Sequence, residues 1–303
     1  MKNSNQSPSP LIGIVTVLFN SETVLPGFFT SLASQEGIRY KLYVIDNSPK
    51  ETGMVMSRNL ASRYGIDATF QYNNANVGVA KGNNQGIQLA QADGCDLVLL
   101  ANNDIEFGPS TILKLQEAMA QNGERVATPK IMYYAEPHKT WYAGGHINAW
   151  LARTFHHHMG QDDRGTQDTQ RYTQYAPTCF MMLDITVFND VGMMDESYFV
   201  YYDDTDYVWR MTRHHIRIRF VPSACVLHKV STSTGGARSS FGIYYGNRNR
   251  IYFIRKNLSG TKKICAFLCV LATRIPKSAT LNMELRSALW RGIKDGFFLP
   301  LNK

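Results

Sequence analysis

The chain has 303 residues, 44% hydrophobic and 18% charged, which excludes a chain without a packed core and suits one large α/β domain with an appendage, or two domains. Its net charge of +8 is unevenly placed: residues 1–236 carry 19 Lys/Arg and 22 Asp/Glu, a net −3, whereas residues 237–303 carry 13 and 2, a net +11. Such a tail is expected to meet an anionic partner, phospholipid or nucleic acid. Cys95, Cys179, Cys225, Cys265 and Cys269 are scattered, odd in number and without the CxxC pairs of a zinc site. They read as reduced thiols in a reducing compartment. The opening MKNSNQSPSP lacks the apolar stretch of a signal peptide, and residues 1–10 read as a disordered start.

LIGIVTVLF (11–19) is a continuous apolar, β-branched run, the mark of a strand buried on both faces. Val24, Phe28 and Leu32 give residues 22–35 helical spacing. KLYVIDN (41–47) is a second strand, residues 52–64 a second helix and ATFQYN (68–73) a third strand. A helix over 81–92 and a fourth strand, DLVLLA (96–101), follow. Residues 109–121 form a helix that Pro109 suits as a first position.

Strand and helix alternating in this way predict βαβ units around a mostly parallel sheet. In such sheets ligands bind beyond the carboxyl ends of the strands. Three of the four strands end there in polar groups: Asn20, Asp46, and Asn102-Asn103-Asp104. One such end is an ordinary turn. Three on one edge predict a site.

The second half is less regular. Residues 135–175 are rich in Gly, His, Gln and Asp and read as loops or an irregular lobe. The His156-His157-His158 run could bind metal but reads first as a solvated loop. Residues 176–188 return to strand and then helix. Residues 199–215 set acids before a helical run through Val208 and Met211, and 217–222 and 224–228 are short strand candidates. In the tail, ICAFLCVLAT (264–273) is ten uncharged residues between Lys262-Lys263 and Arg274, with Cys265 and Cys269 on one helix face. A spanning helix needs roughly 20 residues, so this run is expected to lie on an anionic membrane surface or to cover the catalytic domain. No nucleic-acid-binding motif supports the other anionic partner.

Seven ordered segments carry a resemblance: IVTVLFN (14–20), LYVIDNS (42–48), NNANVGVAKGNNQGI (73–87), LLANND (99–104), FVYYDDTDYVWR (199–210), VLHKVSTSTGG (226–236) and YYGNRNRIYFIRK (244–256). Together they resemble the family-2 glycosyltransferases of the GT-A fold, in particular the bacterial branch, including rhamnosyltransferases, that builds surface polysaccharides. The resemblance implies a catalytic domain over 11–257, with a nucleotide-sugar half (11–106) and an acceptor half (107–257), followed by a basic amphipathic extension (258–303).

The resemblance further implies a nucleotide-sugar donor at the carboxyl edge. Thr16 and Asn20 match the first motif, and Asp46 would cradle nucleobase and ribose. Asn76, Gly78, Gly82 and Asn83 would lie beside the nucleoside and donor sugar, although the two glycines also suit a turn before a helix. GVAKGNNQG is not the GxGxxG of a dinucleotide fold. Asn102-Asn103-Asp104 occupies the place of the family's Asp-any-Asp metal motif and keeps only its last acid. The amides of Asn102 and Asn103 are expected to bond ribose or sugar hydroxyls. Asp104 would share Mg²⁺ or Mn²⁺ with His228, which lies 24 residues after Asp204, where the family places a metal-binding His. Asp204 takes the general-base position. Asp203, where the family has Glu, would support it, and Asp203 and Asp206 also suit a helix start. Trp209 and Arg210 are expected to support the site, Arg210 on the donor side.

The expected function is inverting, metal-dependent transfer of a sugar to a lipid-linked saccharide in O-antigen or capsule biosynthesis, on the cytoplasmic face of a bacterial membrane. dTDP-L-rhamnose is the expected donor. The alternative is a weakly catalytic, sugar-nucleotide-binding pseudoenzyme or membrane scaffold, suggested by the depleted NND. A nucleotidyltransferase would want a Gly- and Arg-rich loop after the first strand, and LFNSETVLPG has none.

Overall fold

A computed structural model describes residues 9–165, 171–230 and 239–301. Most of the expected disordered start, and residues 231–236 of the VLHKVSTSTGG segment, lie outside the described residues. The first half alternates as expected: β1 (Leu11–Leu18), α1 (Leu25–Ala33), β2 (Arg39–Asp46), α2 (Thr52–Tyr64), β3 (Ala68–Tyr72), α3 (Val79–Ala92) and β4 (Leu97–Ala101). β1 pairs in parallel with β2 and β4, and β2 with β3, so their carboxyl ends share one edge. α3 lies close on β1 because its facing residues are glycines. A Cβ on Gly82 or Gly86 would stand 2.8 or 2.3 Å from Val17 or Val15 methyls.

The second half continues through β5 (Ile105–Phe107), α4 (Thr111–Asn122), β6 (Val126–Tyr133), β7 (Thr140–Tyr142), β8 (Gly145–Asn148), β9 (Arg153–His156), β10 (Tyr172–Thr173), β11 (Phe180–Asp184), α5 (Val187–Val191), α6 (Asp203–Arg213) and β12 (Ile218–His228). Among the described residues, ten strands form one sheet, with main order β10-β12-β6-β11-β4-β1-β2-β3. β11 enters antiparallel between β4 and β6, and β5 and β7 pair with β12 and β6.

Several details depart from the sequence expectation. α4 starts two residues late: Ser110 is its N-cap, and the Pro109 carbonyl instead accepts from the Glu36 N–H at 3.1 Å. The two short strands over 217–228 are one, β12, with a register shift between Val221 and Cys225, where Pro222 lacks an N–H for the ladder. The irregular lobe contains the β8–β9 hairpin.

The tail folds as α7 (Ser240–Asn257), α8 (Gly260–Ala279) and α9 (Met283–Phe298). A second apolar core joins all three, centred on Ile251, Phe253, Val270, Leu289 and Ile293. It crosses position 257, where a domain boundary was expected. α9 fits closely on α7: a Cβ on Gly292 or Gly296 would come within 2.4 Å of the Tyr244 or Arg248 carbonyl oxygen.

Candidate active site at the carboxyl edge of the sheet

β4 ends at Ala101, and the chain turns through Asn102, Asn103 and Asp104 into β5. β5 runs antiparallel to the end of β12 and sets Ile105 opposite His228. The Lys229 N–H also donates to the Asp104 carbonyl at 2.9 Å. This register brings Asp104 Oδ1 within 3.3 Å of His228 Nε2, across more than 120 residues of sequence. The other ring nitrogen, His228 Nδ1, is buried and has no hydrogen-bond partner.

From His228 a line of rings leads to Asp204. Trp141 of β7 meets the His228 ring at 4.7 Å between centroids and the His156 ring of β9 at 4.6 Å. His156 stacks on Tyr175 at 5.7 Å. The Tyr175 hydroxyl donates to Asp204 Oδ2 at 2.5 Å. Asp204 Oδ1 accepts from the Thr205 N–H at 2.6 Å and its hydroxyl at 3.1 Å. The Asp104–His228 pair and Asp204 thus stand at the two ends of one row of packed rings. Cys179 lies within reach of both carboxylate charges: burial first, then Asp104 and Asp204, push its thiol far up, so it stays neutral.

Trp141 and Tyr175 were not singled out from sequence, and His156 only as part of the His run. They fall in or at the edge of the stretch without periodicity, where the only signal was the His run. That run is not simply a solvated loop. His156 is part of β9, with Nδ1 3.2 Å from the Trp141 carbonyl, and burial lowers its pKa below the usual range. His157 Nε2 lies 3.1 Å from His146 Nδ1, and only His158 is exposed. Among the described residues, no group of three or more His, Cys, Asp or Glu side chains is arranged to hold a metal ion.

Asp203 and Asp204 open α6, where helix N-terminal amides favour negative charge. At Asp203 burial wins: loss of solvent first, then the adjacent Asp204 charge, push its carboxyl up to about 7. Burial and the Asp204 charge likewise hold the Tyr175 phenol far above its usual range, so it remains a donor.

The chain reaches these acids through a strained loop. Phe199, Tyr201 and Tyr202 have φ of 62°, 62° and 65°, a conformation that costs side-chain-bearing residues about 1–3 kcal/mol each. α7 holds the loop in place. The buried Asn249 amide donates to the carbonyls of Tyr198, Val200 and Tyr201 at 2.7, 2.7 and 2.9 Å. Arg248 donates to those of Ser197 and Tyr198 at 2.5 and 3.0 Å. On the other side the Phe199 carbonyl accepts from Val79 N–H at 2.6 Å. Gly78 (φ 88°) is required beneath it, because a Cβ would stand 2.6 Å from that oxygen.

The expected donor residues divide into two groups. Thr16 and Asp46 are fully buried, and Thr16 Oγ1 and Asp46 Oδ2 have no partner, whereas Asp46 Oδ1 accepts from Ser48 N–H at 2.8 Å. Asn20 (φ 51°) and Asn102 are exposed at the strand ends. The others make contacts within the protein. Asn76 Oδ1 accepts from Gly78 N–H and shapes the turn. Gly78 and Gly82 serve close packing. Asn103 is buried and donates to the Val17 carbonyl at 2.8 Å, tying the end of β4 to β1. Asn83 turns to the Met194 sulfur at 3.7 Å, while Asn84 bonds the Met194 backbone through both N–H and carbonyl. Arg210 donates to Asp206 and to the Val191 and Met193 carbonyls, which engages its guanidinium. Asp206, fully buried, also takes Lys256, Tyr198 and Asn257. Trp209 packs against Phe253 in the second core.

Residues 13–192 match the sequence profile described as Glycosyl transferase family 2. The low-salt glycan biosynthesis hexosyltransferase Agl10 of Haloferax volcanii is 21% identical over 262 residues, 84% of this chain and 78% of that protein. The dTDP-rhamnosyl transferase RfbF of Shigella flexneri is 26% identical over 190 residues, 60% of this chain and 61% of that one. The crystal structure of GalNAc-T7 with UDP, GalNAc and Mn²⁺ superposes with a TM-score of 0.67 at 13% identity, covering 97% of this chain and 57% of that chain. That likeness shows the fold, which is GT-A. With the profile spanning more than half of the chain, the chain belongs to glycosyl transferase family 2.

Proposed function

We propose that the chain is an inverting glycosyltransferase that moves a sugar from a nucleotide-diphosphate donor to a lipid-linked saccharide in surface polysaccharide assembly. The observation that carries this reading is the row of packed rings, Trp141, His156 and Tyr175, that links the Asp104–His228 pair to Asp204. Asp204 takes the proton of the acceptor hydroxyl. That oxygen attacks the anomeric carbon opposite the diphosphate, the carbon–oxygen bond to the diphosphate breaks, and the configuration inverts. Thr16 and Asp46 offer buried, unpartnered oxygens on the nucleoside side, the kind of atoms that ribose or base hydrogens satisfy.

Asp104 and His228 suit a divalent cation as a carboxylate–imidazole pair beside a buried, partnerless ring nitrogen. They would hold Mg²⁺ or Mn²⁺, with donor phosphates completing the coordination, and the cation would stabilise charge on the leaving diphosphate. Kinship with the RfbF rhamnosyltransferase favours dTDP-L-rhamnose as donor. The protein would work on the cytoplasmic face of a bacterial membrane. The test is thermal shift of the purified protein against a panel of nucleotide sugars, with and without Mn²⁺, followed by transfer assays with Asp204→Asn. dTDP-L-rhamnose should raise Tm most, and more so with Mn²⁺. Asp204→Asn should keep that shift and lose about 10²–10⁴ in rate. A panel in which no nucleotide sugar shifts Tm would defeat the reading, and near-wild-type turnover of the variant would defeat the base.

A further inference from the structure

The apolar surface of this molecule is concentrated in its last two helices. Of the fourteen large hydrophobic side chains that are exposed among the described residues, nine lie in α8, α9 and the residue positions that flank them. On α8 they form a stripe. Ile264, Leu268, Leu271 and Ile275 follow one another at helical spacing and are 61%, 58%, 44% and 57% exposed, while Ala266 and Val270 face the second core. Phe267 stacks on Phe297 at 5.3 Å, which brings the exposed Phe297-Phe298 end of α9 beside the start of the stripe. Residues 260–301 carry seven Lys/Arg and two Asp/Glu, a net +5, and Lys262, Lys277, Arg291 and Lys294 are exposed.

We propose that the α8–α9 hairpin docks on an anionic phospholipid surface, with the Ile264–Leu268–Leu271–Ile275 stripe entering the interface and the lysines and arginines meeting the headgroups. The proposal rests on the reading of a lipid-linked acceptor and adds the surface that would carry the enzyme to it. The chemistry of the face selects this occupant. A second copy seated isologously would set net-positive tails against each other. No helix among the described residues is long and apolar enough to cross a membrane. An amphipathic helix with basic residues instead lies in the interface plane, and its attachment combines apolar burial with a salt-screened attraction. α7 lies between this hairpin and the loop before Asp203, so docking would fix the height of the active site above the surface.

Deleting the tail is a poor test, because α9 is part of the α7 core. Exposed positions give a clean one. The full chain is sedimented with vesicles of phosphatidylglycerol and phosphatidylethanolamine, and with phosphatidylcholine alone, at low and high salt. The comparison variant is Leu268→Ser/Leu271→Ser, with Val55→Ser, an exposed apolar residue on α2, as control. Wild type and control should bind anionic vesicles, more weakly at high salt and far less to phosphatidylcholine. The double variant should keep the wild-type Tm and lose at least about tenfold in binding, given the apolar area withdrawn. Unchanged binding by the double variant would overturn the stripe and leave a peripheral, electrostatic attachment standing. Equal binding to phosphatidylcholine would overturn the headgroup part. A wild type that binds no vesicle but forms a dimer broken by the same substitutions would make the face a contact between copies and overturn the proposal. Donor-induced shifts in Tm need no vesicles, so they judge the transferase reading separately.

Discussion

The Tyr175 hydroxyl donates to Asp204 Oδ2 at 2.5 Å, from a phenol that burial keeps protonated. A donor on the ionised carboxylate favours the charged form that accepts a proton. Tyr175→Phe should therefore lower transfer by about tenfold or more at neutral pH, in line with the 1.5–3 kcal/mol of a hydrogen bond to a charged group. Nucleotide-sugar shifts in Tm should persist. Unchanged transfer in the variant would separate Tyr175 from Asp204.

Asp203 gives a stability prediction. Its folded pKa lies above the ordinary 3.8, so between these values the native state binds more protons than the unfolded chain. Its contribution to stability therefore falls as pH rises from about 4 through about 7, at up to about 1.4 kcal/mol per pH unit. Asp203→Asn removes the titration. Chemical unfolding of both proteins across that window should show the variant gaining on wild type as pH rises. A constant difference would mean that Asp203 does not titrate there.

Much of this site was legible because a parallel sheet brings its strand ends to one edge. Asn20, Asp46 and Asp104 follow from strand boundaries alone, and Asp204 and His228 followed from the family resemblance. What could not be read is contact between distant segments. Three residues, Ile105–Phe107, are too short for a periodic signal, yet β5 sets the Asp104–His228 distance. β6 escaped because Thr128, Pro129 and Lys130 break its apolar run; Lys130 is buried beside Asp163 at 2.5 Å. Asn103, Asn83 and Arg210 read as ligand-facing because their polar groups suit sugars and phosphates. Their actual partners are backbone carbonyls, a thioether and Asp206, all supplied by the fold.

Asp104 and His228 should separate from the base in their effect on binding. Asp104→Ala should weaken Mn²⁺-dependent nucleotide-sugar binding measured by calorimetry, and His228→Ala should do so less severely, because the carboxylate carries the charge. Chelator should lower wild-type transfer, with recovery on adding Mn²⁺. Full transfer in chelator would remove the cation from the reaction.

Asn249 is placed to decide how α6 begins. One amide nitrogen with two hydrogens serves three carbonyls, those of Tyr198, Val200 and Tyr201, within 2.9 Å, and Asn249 itself is fully buried. These bonds offset the strain of a loop whose aromatic residues have positive φ. Asn249→Ala would withdraw the amide from the Val200 and Tyr201 carbonyls, while the Tyr198 carbonyl keeps Arg248; an acceptor left unmet costs about 1–3 kcal/mol, and the loop should relax toward negative φ. Asp203 and Asp204 follow directly, so their direction would change while the Thr16–Asp46 side keeps its place. kcat should fall by at least about tenfold, with the donor KM nearly constant and Tm lowered. Asn249→Asp should be worse than Ala at neutral pH, because a carboxylate would face three carbonyl oxygens. A variant with reduced Tm and unchanged kcat would make Asn249 a residue of the scaffold only, with no part in aiming the base.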